Sequence, residues 1–423
     1  MEWNRRSFLT GMTGAGAVGG VSLLRQENPP ARRPIALPQG TADYKGPNVV
    51  IVRFGGGCRR REVVDPRHTY APHLLHRLAP RGVLFGNMMI DSLKPRHGVD
   101  TSHGQGTIYI LSGSYNQLDS AGGDGFDLRF VPSVPTVFEY LRAAYDIAEH
   151  ETLVVNSEDR KQEEFLTYSN HLKYGLDYRC QILSLYRFKR FLYPHLLKEG
   201  RRDGKHLSFK EEAKIRKELS QLKSIDTRQP LAANERLTAF WEAWRAHYGD
   251  SGLKNPRGDR LLTELALWSM RLLQPRLMIV NYTDADYVHW GIRSHYFNAI
   301  SVMDQGLKQI ANVADSLPFY RDNTVFVVVP DCGRDSNPFA DVPFQHHFNT
   351  KSAHEIFCLV YHNRVRPDEG VNTSPLVAPR PKTVLKHTDQ AEVAGMIGAL
   401  MGFPTMESED SRLIDYLQKP AGT

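Results

Sequence analysis

Four stretches of the chain hold residue types suited to hydrolytic chemistry. They are Phe54-Gly55-Gly56-Gly57-Cys58 with Arg59, Arg60 and Arg61 after it, the run Asp284 to His289, Asp331-Cys332-Gly333, and His346-His347. Asp286 and His289 stand three residues apart. On one helical turn that spacing brings a carboxylate and an imidazole to the same side, a workable ligand pair for zinc or manganese. Asp284 competes with Asp286 for the carboxylate role, and His347 competes with His346 for a third ligand; spacing alone does not separate them. The bare N–H groups of Gly56 and Gly57 are suited to cradling an anion. Arg59 and its two neighbours are suited to clamping a phosphate or sulfate in bidentate fashion. His97 and His103 flank a glycine-containing turn and are candidate substrate contacts. A cysteine-phosphatase loop around Cys58 is excluded, because it needs an arginine six residues on and Val64 stands there.

These residues need elements to hold them. Val49-Val50-Ile51-Val52 is a β-branched run that ends at glycines, which predicts a buried strand. Residues 276–280 and 324–329 predict two more, and Asp284–His289 and Asp331 follow directly after them. Further strands are expected at 83–85, 153–155 and 356–360. Helical periodicity is clear over 137–148, 296–314 and 390–401. Alternation of helix and strand predicts a three-layer α/β/α domain with a mostly parallel central sheet, in which sites form at the carboxyl ends of strands. The block 158–265 breaks the alternation: it is charged, aromatic and helical, with a capping-box signature at Ser208 and Glu211. It reads as a helical insertion or cap between two parts of one domain, 47–157 and 266–415.

A chain of 423 residues accommodates that arrangement, and 41% hydrophobic content is ordinary for a globular protein. A net charge of +6 over this length does not point to nucleic acid. The four cysteines include no CxxC pair, which excludes a zinc ribbon and a thioredoxin motif. Residues 1–27 are different in kind. Arg5-Arg6 precede Ser7-Phe8-Leu9 and a glycine-rich, mildly apolar stretch, the pattern of a twin-arginine export signal. A linker over 28–46 follows. The expectation is export by the twin-arginine machinery to the periplasm or cell surface, with the uncleaved segment as an optional membrane anchor. No other run reaches the ~18 apolar residues that span a bilayer.

The order of these pieces resembles the alkaline phosphatase and sulfatase superfamily. The resemblance rests on APHLLHRLAPRGVLFGNMMID (71–91), SHGQGTIYILSGSY (102–115), VPTVFEYLRAAYDI (134–147), PRLMIVNYTDADYVHWGIRSHYFNAISVMDQGL (275–307) and NTVFVVVPDCG (323–333), and covers most of 46–400 outside the insertion. It implies an alkaline-phosphatase-type fold and a centre for two divalent metals. Asp286, His289 and His347 (or His346) match one metal set. The other set departs from the pattern: the aspartate expected among Phe54 to Gly57 is missing, and the expected Asp-His pair reads Asp331-Cys332. No serine or threonine stands where the nucleophile should follow, which leaves Cys58 as the nearest candidate. Cys58 and Cys332 then fall at the two edges of the altered set, as a disulfide, as zinc ligands with Asp331, or as unrelated buried thiols. The implied function is hydrolysis of a phosphate or sulfate ester in an anionic small molecule, glycan or lipid, with one metal rather than two, zinc or manganese. The alternative is a non-catalytic relative that binds an anionic ligand or partner.

Overall fold

The run Val49 to Val52 lies inside strand β1 (Asn48–Phe54), which is buried along its whole length. Its two-residue period separates two cores: Val50, Val52 and Phe54 face one apolar cluster, and Val49 and Ile51 face the other. In the computed structural model residues 43–91, 99–115, 118–120, 130–157, 163–223, 234–252, 258–337, 339–346, 350–364, 382–405 and 411–418 are described. The expected export signal, most of the linker, His97 and His347 lie outside them.

Among the described residues the main sheet has nine strands. After β1 they are β2 (Gly82–Met89), β3 (Thr152–Asn156), β4 (Gln181–Leu183), β5 (Leu277–Asn281), β6 (Thr324–Pro330), β7 (Glu355–His362), β8 (Lys382–Val384) and β9 (Thr388–Asp389). Their order is β8-β2-β7-β6-β1-β5-β3-β4, with β9 also paired to β2. Every neighbouring pair is parallel except the two made by β7. The sheet is thus mixed and mostly parallel, as the alternating pattern predicts.

Helices cover both faces. On the face of Val49 and Ile51 lie α1 (His103–Ser112), α2 (Val137–Tyr145) and, near the C-terminus, α8 (Glu392–Met401). The opposite face carries α3 (Leu185–Glu199), α4 (Phe209–Lys223), α5 (Glu235–Tyr248), α6 (Asp259–Leu272) and α7 (Arg293–Ser316). The layers are those of a three-layer α/β/α domain. No helix among the described residues is long and apolar enough to cross a membrane.

The block 158–265 is mostly helical where it is described, but it also holds a short hairpin, Arg201–Arg202 with Lys205–His206, and contributes to the sheet. Gln181-Ile182-Leu183 forms β4 and pairs in parallel with β3. Helix α6 begins at Asp259, inside the block, and packs on β3, β5 and α7. A three-residue strand is too short for its period to stand out against a helical background, so the block extends the sheet edge as well as covering it.

Candidate metal centre and its surroundings

Register puts the candidate strand ends side by side. β1 lies between β6 and β5, with Phe54 level with Pro330 and Arg53 level with Asn281. The loops leaving these three strands therefore meet at one edge of the sheet, where parallel α/β sheets place their sites. Gly56 has φ +81°, and a Cβ there would stand 2.4 Å from the backbone nitrogen of Asp286. Only glycine lets the loop after β1 approach the loop after β5 this closely.

Asp286 sits in a 3₁₀ turn after β5 (Asp284–Val288). Its Oδ1 is the meeting point of three imidazoles: His103 Nε2 at 2.7 Å, His289 Nε2 at 2.8 Å and His346 Nε2 at 3.3 Å. Arg334 Nη2 stands 3.6 Å away. Burial pushes the Asp286 carboxyl up, but the His103 charge and the hydrogen bonds from the three histidines outweigh it and hold it far below the carboxylate range. His346 is held from behind by a backbone carbonyl. Its Nδ1 lies 2.9 Å from the Thr101 carbonyl oxygen, which can only accept, so Nδ1 carries the proton. In the neutral ring Nε2 turns its lone pair toward the Asp286 side, where a cation would be its partner; in the protonated ring Nε2–H donates to Asp286 Oδ1 at 3.3 Å. A metal-bound histidine ordinarily gives its other N–H to a carbonyl in this way. One ligand atom each from Asp286, His289 and His346 lies within 4.8 Å of the others, and the donor set of one carboxylate and two imidazoles fits zinc or manganese.

Asp284 and Asp286 separate clearly. Asp284 turns away from this centre: its Oδ2 accepts from the backbone N–H of Asp259 at 3.1 Å, while the Asp259 carboxylate accepts from the N–H groups of Thr283 and Asp284 at 2.8 and 2.9 Å. The two aspartates bracket α6 to the loop after β5. Burial, with the neighbouring Asp284 charge, pushes the Asp259 carboxyl up to about 8. Of the candidates His346 and His347, His346 lies at Asp286; His347 is outside the described residues.

Asp331, at the end of β6, is fully buried. Its carboxylate accepts from Gly56 N–H at 3.1 Å, Gly57 N–H at 3.2 Å and Cys332 N–H at 2.7 Å, and pairs with His103 Nδ1 at 2.8 Å. Burial raises its carboxyl, but His103 and Arg53 reverse the shift and hold it well below the usual range. The expectation that Gly56 and Gly57 cradle a substrate anion is corrected here: their N–H groups already hold the chain's own carboxylate. Arg59 is likewise engaged, with Nε 2.7 Å from Glu62 Oε2 and its guanidinium 5.8 Å from the ring centres of Tyr296 and Phe344.

All four cysteines are free and buried. FGGGC does lie beside DCG, for the Cys58 N–H donates to the Cys332 carbonyl at 2.9 Å, but no Cys58–Cys332 disulfide joins them. Burial raises the Cys58 thiol well above its ordinary range, and its Sγ contacts the Gly55 carbonyl at 3.9 Å, within its own turn. It is not presented as a nucleophile. Cys332 Sγ lies 3.9 Å from His103 Nδ1, and burial with the Asp331 charge pushes its thiol up to about 12.

His103 and Arg53 bind the two halves together. His103 is the first residue of α1, behind the N-cap Ser102, and bridges Asp331 and Asp286 with its two nitrogens. Burial lowers its pKa, but the two carboxylates prevail and raise it well above the imidazole range. Sequence reasoning placed His103 only at a turn, as a possible substrate contact. The signal available was Ser102 with Gln105, an N-cap arrangement ahead of an apolar run. Arg53 gave no signal beyond a charge inside an apolar strand.

At the level of sequence no family model matches the chain, and no curated protein does. Solved structures do resemble it. Wild-type alkaline phosphatase PafA matches with TM-score 0.51 at 10% identity, over 89% of this chain and 100% of that one. The chain has the alkaline phosphatase fold. A protein of the alkaline phosphatase superfamily from Vibrio parahaemolyticus matches at 12% identity and TM-score 0.46, over 86% and 68% of the two chains. The lipoteichoic acid synthase LtaP from Listeria monocytogenes matches at 10% identity and TM-score 0.45, over 90% and 77%.

Proposed function

We propose that the protein hydrolyses a phosphate or sulfate ester using a single divalent cation, zinc or manganese, held by Asp286, His289 and His346. The observation that carries this reading is the convergence of three imidazole nitrogens on Asp286 Oδ1, with His346 Nδ1 held by the Thr101 carbonyl so that Nε2 is left on the Asp286 side. When bound, such an ion supplies Lewis acidity and a lowered pKa for water. The chain's own residues would do the rest. Asp331 orients the His103 ring through Nδ1, and Nε2, at the Asp286 side, is the atom placed to carry a proton to or from the reacting oxygen. Arg334 holds the loop after β1 by donating to the carbonyls of Gly56 and Gly57, and its charge faces Asp286.

An anionic substrate is supported by a cavity of about 420 Å³ lined by Arg59, Arg61, Arg67, Arg293, Tyr70 and Phe297, among others. Arg59 follows Gly57 by two residues and Arg293 follows His289 by four, so the segments that build the metal centre continue into this basic wall. Arg61 and Arg293 have no carboxylate partner among the described residues, and the Tyr70 and Phe297 rings stack 4.3 Å apart as an apolar platform. Arginines beside an aromatic face suit a sulfated or phosphorylated glycan or a lipid headgroup.

The test is metal analysis with an ester screen. Wild-type protein should carry close to one zinc or manganese per chain and release phosphate or sulfate from aryl esters. His289→Ala should lose the ion and the activity while keeping its fold by circular dichroism. An inactive wild type with no bound metal would favour a non-catalytic binder of anionic ligands.

A further inference from the structure

Two-residue alternation along β1 points Arg53 to the same face as Val49 and Ile51, into the layer that contains α1. The side chain is fully buried there. A guanidinium stays protonated in a protein and is tolerated inside only where its donors are met and a counter-charge is close. The two terminal nitrogens of Arg53 meet acceptors, and a carboxylate is close. Its Nη2 donates to the Tyr282 carbonyl at 2.9 Å; its Nη1 donates to Thr107 Oγ1, lies 3.4 Å from the His103 carbonyl and stands 3.6 Å from Asp331 Oδ2. Asp331 is enclosed on its other sides by the N–H groups of Gly56, Gly57 and Cys332 and by His103 Nδ1.

The resemblance implies a second metal held by Asp331 at this half of the centre, and the residues around Asp331 do not fit one bound through its carboxylate. The carboxylate expected from the first strand is absent, and an arginine in that strand reaches Asp331 instead. The His103 imidazole reaches Asp331 from α1, but through hydrogen bonding to the carboxylate. An ion at ~2.0–2.2 Å from Asp331 would lie against a guanidinium that cannot lose its charge. We propose that Arg53 and His103 together take the place of the second cation: the Asp331 side is closed to metal, and the chain has been rebuilt from a two-ion centre into a one-ion centre with an internal guanidinium. Arg53 is then a positioning residue, fixing Asp331 and through it the His103 ring. The ion at Asp286 rests on the reading above; closure of the Asp331 side does not.

One arrangement competes. His103, Cys332 and His346 could also hold an ion, since a ligand atom from each lies within 4.8 Å of the others. It would draw His103 off a carboxylate and bring in a thiolate, which cobalt reports through a sulfur-to-metal charge-transfer band in the near ultraviolet.

The experiment is cobalt loading of the full chain after chelator treatment, followed by metal analysis and absorption spectroscopy. Wild type should take up no more than one equivalent and give no sulfur-to-cobalt band. Two equivalents, or the band, overturn the proposal. Arg53→Asp removes the guanidinium and supplies a carboxylate; it should bind one equivalent more than wild type and acquire the band as Cys332 joins the new set. Arg53→Met removes the guanidinium, its charge and its donors together, without supplying a metal ligand, and should bind no more cobalt than wild type. A folded Arg53→Asp that binds no more cobalt than wild type overturns the proposal. If neither variant folds, the wild-type stoichiometry and spectrum decide it. A wild type that binds no metal would sink the proposed hydrolase and leave closure of the Asp331 side standing, so the two failures are told apart.

Discussion

At the scale of single residues, the centre divides labour between two aspartates that look alike in sequence. Asp286 is partly open and gathers imidazoles; Asp331 is sealed among N–H groups and a guanidinium. His103 touches both, so its removal should separate binding from turnover. His103→Asn is expected to keep the cation, whose ligands are Asp286, His289 and His346, and to lower kcat by roughly 10²–10⁴. Metal analysis and steady-state kinetics on the same preparation check this; a variant with unchanged kcat would remove His103 from the chemistry. The Asp286–His289 pair was legible because its spacing fits one turn after a buried strand. His346 could not be preferred to its neighbour in the sequence, because no apolar period runs through that segment to say which of two adjacent side chains faces the sheet. The role of His103, and Arg53 altogether, were beyond sequence reasoning for a different cause. Their partner Asp331 lies 228 residues away from His103, and no local pattern records such a meeting.

At the scale of elements, the strands announced themselves and α1 did not. Runs such as 49–52 and 324–329 are β-branched and fully buried, and they form β1 and β6 with small shifts at their ends. The segment HGQGTIYILS holds two glycines, which weaken a helix by propensity, yet it forms α1. Tertiary contact explains the cost: a Cβ at Gly106 would stand 2.3 Å from the Asp331 carbonyl oxygen, so glycine lets the helix rest on the end of β6 and bring His103 to the aspartate. Helix α2 shows the same long-range anchoring. Glu139 completes a capping box with Thr136 and also accepts from Ser169 N–H at 3.1 Å and Ser169 Oγ at 2.7 Å. Burial, against those hydrogen bonds, pushes its carboxyl from 4.5 up to about 7. A raised carboxyl pKa means that the folded protein binds this proton more tightly than the unfolded chain. The group's contribution is therefore full below pH 4.5, falls as pH rises to 7 and is flat above. Glu139→Gln keeps an acceptor oxygen without the titration. Wild type minus variant stability should drop by up to about 3 kcal/mol between pH 5 and pH 8, measured by urea unfolding; an equal difference at both values would contradict the assignment.

At the scale of the whole molecule, one sheet edge collects residues from segments spread between β1 and the loop ahead of β7, and the fold that does this is the alkaline phosphatase fold. Twin arginines at the N-terminus would place that centre outside the cytoplasm after folding. Arg5→Lys together with Arg6→Lys should leave the protein in the cytoplasmic fraction, because paired arginines are the part of the signal that is read; unchanged export of the double variant would end that assignment. The central claim concerns the number of ions and the chemistry they serve. It is tested most directly by stripping the protein with a chelator and titrating zinc or manganese back while following hydrolysis of an aryl phosphate and an aryl sulfate. Activity on one of the two esters should rise linearly and stop rising at one ion per chain. A break at two ions per chain, activity that persists in the stripped protein, or no hydrolysis of either ester at full loading would contradict it.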